Sequence, residues 1–175
     1  MRLLGLDPGL QRTGWGVIDA HANRLSHVAH GVIATSRDDE LAQRLAQIHD
    51  GLARLIKDYK PDAAAVEETF VTRNGATTLL LGQARGVAML VPALAGLAVA
   101  EYPAILVKKS IVGVGHAGKE QVIARVCVLL PGCGVTAADA ADALAVAICH
   151  AHVHATGQRR LAGALVRRAA GAIVQ

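Results

Sequence analysis

Three strand-like segments crowd into the stretch that ends at Thr35, and their connections are too short for any but antiparallel neighbours. Arg2–Asp7 is broken by Pro8-Gly9, Gly14–Asp19 follows a tight link, and Arg24–Thr35 follows another. A parallel crossover needs about a dozen residues or more, which neither link supplies. The chain therefore opens as a meander, and later strands must add to its edges.

What comes later alternates. Within Glu40–Tyr59 the apolar residues Leu41, Leu45, Ile48, Leu52, Leu55 and Ile56 recur at spacings of three and four, the stripe of an amphipathic helix, with Asp38 or Asp39 placed to cap it. Ala63–Glu68, after Pro61-Asp62, is a short apolar run suited to a buried strand. A helix over Thr77–Ala95 follows, with Pro92 able to kink or end it, then a strand over Leu97–Tyr102, a helix over Lys119–Leu130 and a last helix from Ala137 to about Ala155. The order βββαβαβαα predicts an α/β domain: a mixed five-stranded central sheet flanked by helices on both faces.

One such domain accounts for most of the 175 residues, placed at 1–155, with 156–175 as a basic, flexible C-terminal tail. Aromatics are scarce at 2%, so the core must be aliphatic. All 14 acidic residues lie at or before Asp142, whereas Arg159, Arg160, Arg167 and Arg168 follow with no acid among them. Such a tail suits a phosphate backbone and is equally common as a solvated end. Cys127, Cys133 and Cys149 form an odd set without C-x-x-C spacing, which disfavours a disulfide framework or a thiolate zinc site. They read as small hydrophobes in a reducing compartment. The N-terminus lacks signal-peptide regions, and the longest uncharged apolar run, Val87–Ala100, is 14 residues against the roughly 20 a bilayer requires. The expectation is a cytoplasmic protein with no membrane span.

Four carboxylates carry the chemical interest. Asp7 ends the first strand, where a side chain can enter the crevice beside the sheet, although Asp-Pro-Gly is also good turn chemistry. Glu67 and Glu68 end another strand and must face opposite sides, so at most one can join Asp7. Asp139 and Asp142 project from one face of the last helix's first turn, within a run of alanines that implies close packing. Thr136-x-x-Asp139 also resembles a capping box. Taken as a set, strand-end and helical acids suit a hard dication such as Mg²⁺, which prefers oxygen ligands.

Longer motifs run through the same residues: Leu4-Gly5-Leu6-Asp7-Pro8-Gly9 with Thr13-Gly14-Trp15-Gly16-Val17, Val66-Glu67-Glu68-Thr69-Phe70, Leu81-Gly82-Gln83-Ala84-Arg85-Gly86 and Ala138-Asp139-Ala140-Ala141-Asp142-Ala143-Leu144-Ala145. Lys108-Lys109-Ser110, Val112-Gly113-Val114-Gly115 and Lys119-Glu120-Gln121-Val122 extend them. In this order they resemble the RuvC family of bacterial Holliday-junction endonucleases over residues 2–154. The resemblance implies an RNase H-like fold, a homodimer, and symmetric nicking of four-way junction DNA in recombination and repair. It implies a catalytic set of Asp7, Glu67, Asp139 and Asp142 holding two Mg²⁺ ions, with Mn²⁺ able to substitute, and Lys119 beside the scissile phosphate. Lys108, Phe70, Arg73 and Asn74 would contact DNA, Phe70 by stacking on a base or else by packing in the core. The RuvA–RuvB branch-migration complex is the implied partner.

The helix carrying Gly82-x-x-x-Gly86 has more apolar surface than one face needs, which suggests that a dimer forms there. Leu80, Ala104–Leu106 and Gly118 depart from the family pattern; the first two put DNA contacts in doubt, and Gly118 loosens the loop before Lys119. His150 and His154, four apart, leave a shared metal or a plain surface role open. Two other classes share single features. The sugar kinase, Hsp70 and actin group uses a similar Asp-x-Gly loop but needs a second loop and over twice the length. A non-catalytic nucleic-acid module would not need the four acids.

Overall fold

The computed structural model describes residues 1–22, 24–68 and 74–171, with side chains as far as 157. Ten elements follow in chain order: β1 (Arg2–Asp7), β2 (Arg12–His21), β3 (Arg24–Ala34), α1 (Leu41–Tyr59), β4 (Ala63–Glu68), α2 (Gly75–Leu94), β5 (Ala98–Pro103), α3 (Ala104–Val112), α4 (Lys119–Leu129) and α5 (Ala138–Gly171). The sheet order is β3-β2-β1-β4-β5. The first three strands pair antiparallel, whereas β4 and β5 add in parallel on the other side of β1. The expected mixed five-stranded sheet is present, with β1 at its centre.

Alternation along the strands divides the core in two. Leu4, Leu6, Val17, Ala64 and Val66 meet Ile48 and Leu52 of α1 and Ala84, Ala88 and Val91 of α2. Leu3, Ile18, Ala63, Ala65 and Tyr102 meet α3, α4 and α5 on the opposite face. Helices thus cover both faces, as the hydrophobic pattern requires.

Several local expectations are corrected. Residues 104–112 form a helix, α3, which the sequence did not announce; Pro103 is its N-cap and Gly113, at φ 88°, its C-cap. Helix α1 begins at Leu41 behind Glu40 with no side-chain cap, because Asp39 instead accepts from Gln47 Nε2 at 2.8 Å. The capping box at Thr136 does not form: Ala141 N–H donates to Ala137 O, so Ala137 occupies the capping position. Pro92 sits in the last turn of α2 and the helix runs on to Leu94. Helix α5 continues to Gly171, past the expected end near Ala155. Gly118 is the N-cap of α4, its N–H donating to Gln121 Oε1 at 3.0 Å.

Helix α2 is long and apolar enough to cross a membrane by length and composition alone. One side of it is nevertheless committed to the sheet through Ala84, Ala88 and Val91, and Arg85 pairs with Glu101 of β5.

Candidate active site

Asp7 and Glu67 finish adjacent parallel strands. Leu6 is aligned with Val66, so the next residue on each strand ends beside the other. Both continue the row of Leu3, Gly5, Ala63 and Ala65 that faces α5. Glu68, one residue on, belongs to the α1/α2 face.

The start of α5 is brought over these strand ends by missing side chains. A Cβ on Gly5 would overlap the carbonyl of Ala143, one on Gly14 the carbonyl of Asp139, and one on Gly16 the side chain of Leu144. Gly14 is the ladder partner of Asp7 and Gly16 that of Gly5. Three glycines in two neighbouring strands therefore let the helix backbone rest on the sheet backbone, which sets Asp139 and Asp142 above Asp7.

The electrostatics show how close these groups are. Burial, then repulsion from Asp142 and Asp139, pushes Asp7 up to about 7, opposed by Lys119. Burial, then Asp7 and Asp142, pushes Glu67 up to about 8, opposed by Lys108. Burial also raises Asp142, with Lys108 and Lys119 lowering it and Asp139 raising it. Such mutual influence needs all four carboxylates and both lysines in one small volume. Lys108 comes from α3, the unforeseen helix, and Lys119 is the first residue of α4.

Sequence reasoning missed Arg12. Its Nε donates to Asp139 Oδ2 at 2.5 Å. It is the first residue of β2 and continues the row of Gly14 and Gly16 toward α5. That alternation is the signal that could have found it.

Among the described residues no three His, Cys, Asp or Glu side chains are drawn to coordinating distance. The set still fits a hard dication in its chemistry. The donors are all oxygen, and three of the four carboxylates are short of compensating positive charge.

The remaining expected residues divide. Phe70 and Arg73 lie outside the described residues. Asn74 caps α2, its Oδ1 accepting from the N–H groups of Ala76 and Thr77 at 3.0 and 3.3 Å, which occupies that oxygen without DNA. His150 Nδ1 is taken up by Tyr102 Oη at 2.7 Å, and the His150 and His154 rings lie 6.3 Å apart. His150 thus packs against Tyr102 of β5, whereas His154 is exposed.

Comparison with known proteins gives a consistent picture. A family model described as crossover junction endodeoxyribonuclease RuvC matches residues 3–150. A protein of that name from Paramagnetospirillum magneticum is 63% identical over 167 residues, covering 95% of this chain and all of that one. Another, from Rhodospirillum rubrum, is 61% identical over 155 residues, covering 89% of this chain and 92% of that one. Among solved structures, Thermus thermophilus RuvC in complex with a Holliday junction substrate superposes with a TM-score of 0.80 at 32% identity, covering 90% of this chain and 96% of that one. The yeast mitochondrial Holliday junction resolvase shares the fold with a TM-score of 0.66 at 10% identity, over 93% of this chain and 83% of that one.

Proposed function

The chain belongs to the RuvC family of crossover junction endodeoxyribonucleases and is a DNA endonuclease that resolves Holliday junctions; from that premise we propose that Asp7, Glu67, Asp139 and Asp142 are its catalytic set, holding Mg²⁺. The observation that carries this reading is the burial of Asp7, Glu67 and Asp142 together at the first turn of α5, with Asp139 close enough to raise Asp7 and Asp142.

Two ions per site, with Mn²⁺ able to replace Mg²⁺, would activate a water and stabilise the departing oxygen during in-line attack on phosphorus. The chain's own residues do the rest. Asp7 and Glu67, fixed by the ends of two hydrogen-bonded strands, present oxygens from the sheet. Asp139 and Asp142 present theirs from above, held by the glycine contacts. Lys119 and Lys108 bring positive charge to the same volume, where they meet the phosphate being cut and its neighbour on the strand. Arg12 engages one oxygen of Asp139 and leaves the other free. Phe70 would stack on a base of the junction, Arg73 and Asn74 would contact the DNA, and the basic segment 156–175 adds positive charge for its backbone.

A single site makes one nick, whereas a four-way junction has two strands to cut. The exposed apolar side of α2 supports a homodimer that presents two sites related by two-fold symmetry. The RuvA–RuvB branch-migration complex is the partner that such an enzyme would serve.

The test is a synthetic four-way junction with and without Mg²⁺. Wild-type protein should nick opposing strands at paired symmetric positions only with the metal, and Asp7→Asn should bind the junction without cutting it. Equal cleavage by the variant, or full activity in chelator, would sink the assignment.

A further inference from the structure

Cys127 and Cys133 are not the isolated small hydrophobes that their spacing suggests. Cys127 is half-buried in the last full turn of α4, and Cys133 lies buried in the connection to α5. The chain turns back on itself between them: Leu130 N–H donates to Val126 O at 2.8 Å and Cys133 N–H to Leu130 O at 3.1 Å. This return brings the two sulfurs to 3.7 Å, with the Cys133 thiol donating to Cys127 Sγ.

The backbone around Cys133 is shaped by two glycines and is uncrowded there. Gly132 and Gly134 flank it with φ of 81° and 60°, a region that favours glycine, and a Cβ at either would meet nothing within 4 Å. A disulfide needs the sulfurs at roughly 2.05 Å, so closing the gap takes an approach of under about 2 Å. Cys149, the third cysteine, is buried within α5.

We propose that Cys127 and Cys133 form a reversible dithiol site that reacts with low-molecular-weight disulfides of the glutathione type to give an intramolecular disulfide. Cys127, the more exposed, loses its proton and attacks one sulfur of the oxidant, releasing one molecule of the small thiol. The Cys133 thiol then loses its proton and attacks Cys127 Sγ, forming the Cys127–Cys133 bond and releasing the second. Two protein thiols are oxidised and one small disulfide is reduced to two thiols. Burial and the neighbouring thiol push Cys127 up from its ordinary value, so the exchange accelerates as pH rises.

The bond would tie the end of α4, whose first residue is Lys119, to the segment that delivers Asp139 and Asp142. It therefore falls between two parts of the proposed site without touching either.

The experiment treats the native full-length protein with oxidised glutathione in chelator and maps its cysteines by mass spectrometry. The expected product has lost two hydrogens in the peptide spanning 127–133, keeps Cys149 free for alkylation after denaturation, and reverts with dithiothreitol. Cys133→Ser should stop at the mixed disulfide with glutathione on Cys127. Urea-unfolded wild-type chain should lose the preference for this pair by at least tenfold, which keeps the test valid if the variant fails to fold. A wild-type protein that stops at the mixed disulfide, pairs through Cys149, cross-links between chains, or shows no native preference would overturn the proposal. None of these outcomes depends on cleavage activity.

Discussion

Gly14, the ladder partner of Asp7, is covered by the main-chain carbonyl of Asp139, with no room between them for a methyl group. The first turn of the last helix thus rests on bare strand backbone. Gly14→Ala must lift that turn away from the sheet. Overpacking of this kind costs about 1–3 kcal/mol. Displacing two of four carboxylates by even an ångström costs about a hundredfold in rate. Activity should therefore fall about a hundredfold in a protein that still folds, read as nicking rate beside the midpoint of urea unfolding. A Gly14→Ala protein that nicks at the wild-type rate would show that the contact does not position the site.

Arg12 and an incoming cation want the same carboxylate. With its Nε on Asp139 Oδ2, Arg12 opposes metal binding by its charge and by occupying an oxygen. Its side chain is half exposed, so solvent weakens the effect to about 0.2–1 kcal/mol. Arg12→Gln is expected to bind Mg²⁺ or Mn²⁺ about two- to fivefold more tightly in calorimetry without DNA. Weaker binding would mean instead that Arg12 holds Asp139 in its ligating orientation.

The metal-free protein should lose stability as pH rises. Asp7 goes from an ordinary 3.8 to about 7 and Glu67 from 4.5 to about 8 in the folded chain. Between those limits the folded state keeps protons that the unfolded state has released, so raising pH favours unfolding. The stability is complete below about pH 4 and is lost through pH 7 to 8, at roughly 1.4 kcal/mol per pH unit for each group while it titrates. Asp7→Asn removes one such group, so in chelator it should melt several degrees above wild type at about pH 8 and near it at about pH 4. Added Mg²⁺ should raise the wild-type melting temperature more at the higher pH, because it competes with protons. A melting temperature that is flat or rising with pH in chelator would refute the crowded-carboxylate reading.

Strand periodicity and short links made the sheet legible, because one-sided burial leaves a pattern that local sequence must obey. The four carboxylates were legible only together, since each alone fits a turn or a helix start. Helix α3 was not legible: Ala104–Val112 begins directly after Pro103 with no polar cap and carries exposed Ile105 and Leu106, so neither capping chemistry nor an amphipathic stripe marks it. Arg12 was hidden for another reason. Its partner is 127 residues away, and only the glycine-mediated descent of α5 onto β2 brings them together. The Cys127–Cys133 approach depends likewise on backbone turns at Gly132 and Gly134 that spacing alone does not specify.

The outward side of α2 yields the last prediction. Leu79, Gly82, Gly86, Leu90 and Leu94 follow one another at helical spacings of three and four, and the three leucines at its ends and middle are 69%, 54% and 73% exposed. A Cβ on Gly82 or Gly86 would meet nothing within 4 Å of the single chain. A lone protomer would gain up to about 1 kcal/mol of helix stability from Gly86→Ala, whereas a dimer packed closely on that glycine would lose affinity. The same substitution should therefore raise the unfolding midpoint at low protein concentration and lower it at high concentration. Leu90→Glu, which disturbs no buried residue, should give a folded monomer in sedimentation velocity that makes single nicks in place of paired ones. A wild-type protein that is monomeric at micromolar concentration, or a Leu90→Glu protein that remains dimeric, would place the interface elsewhere.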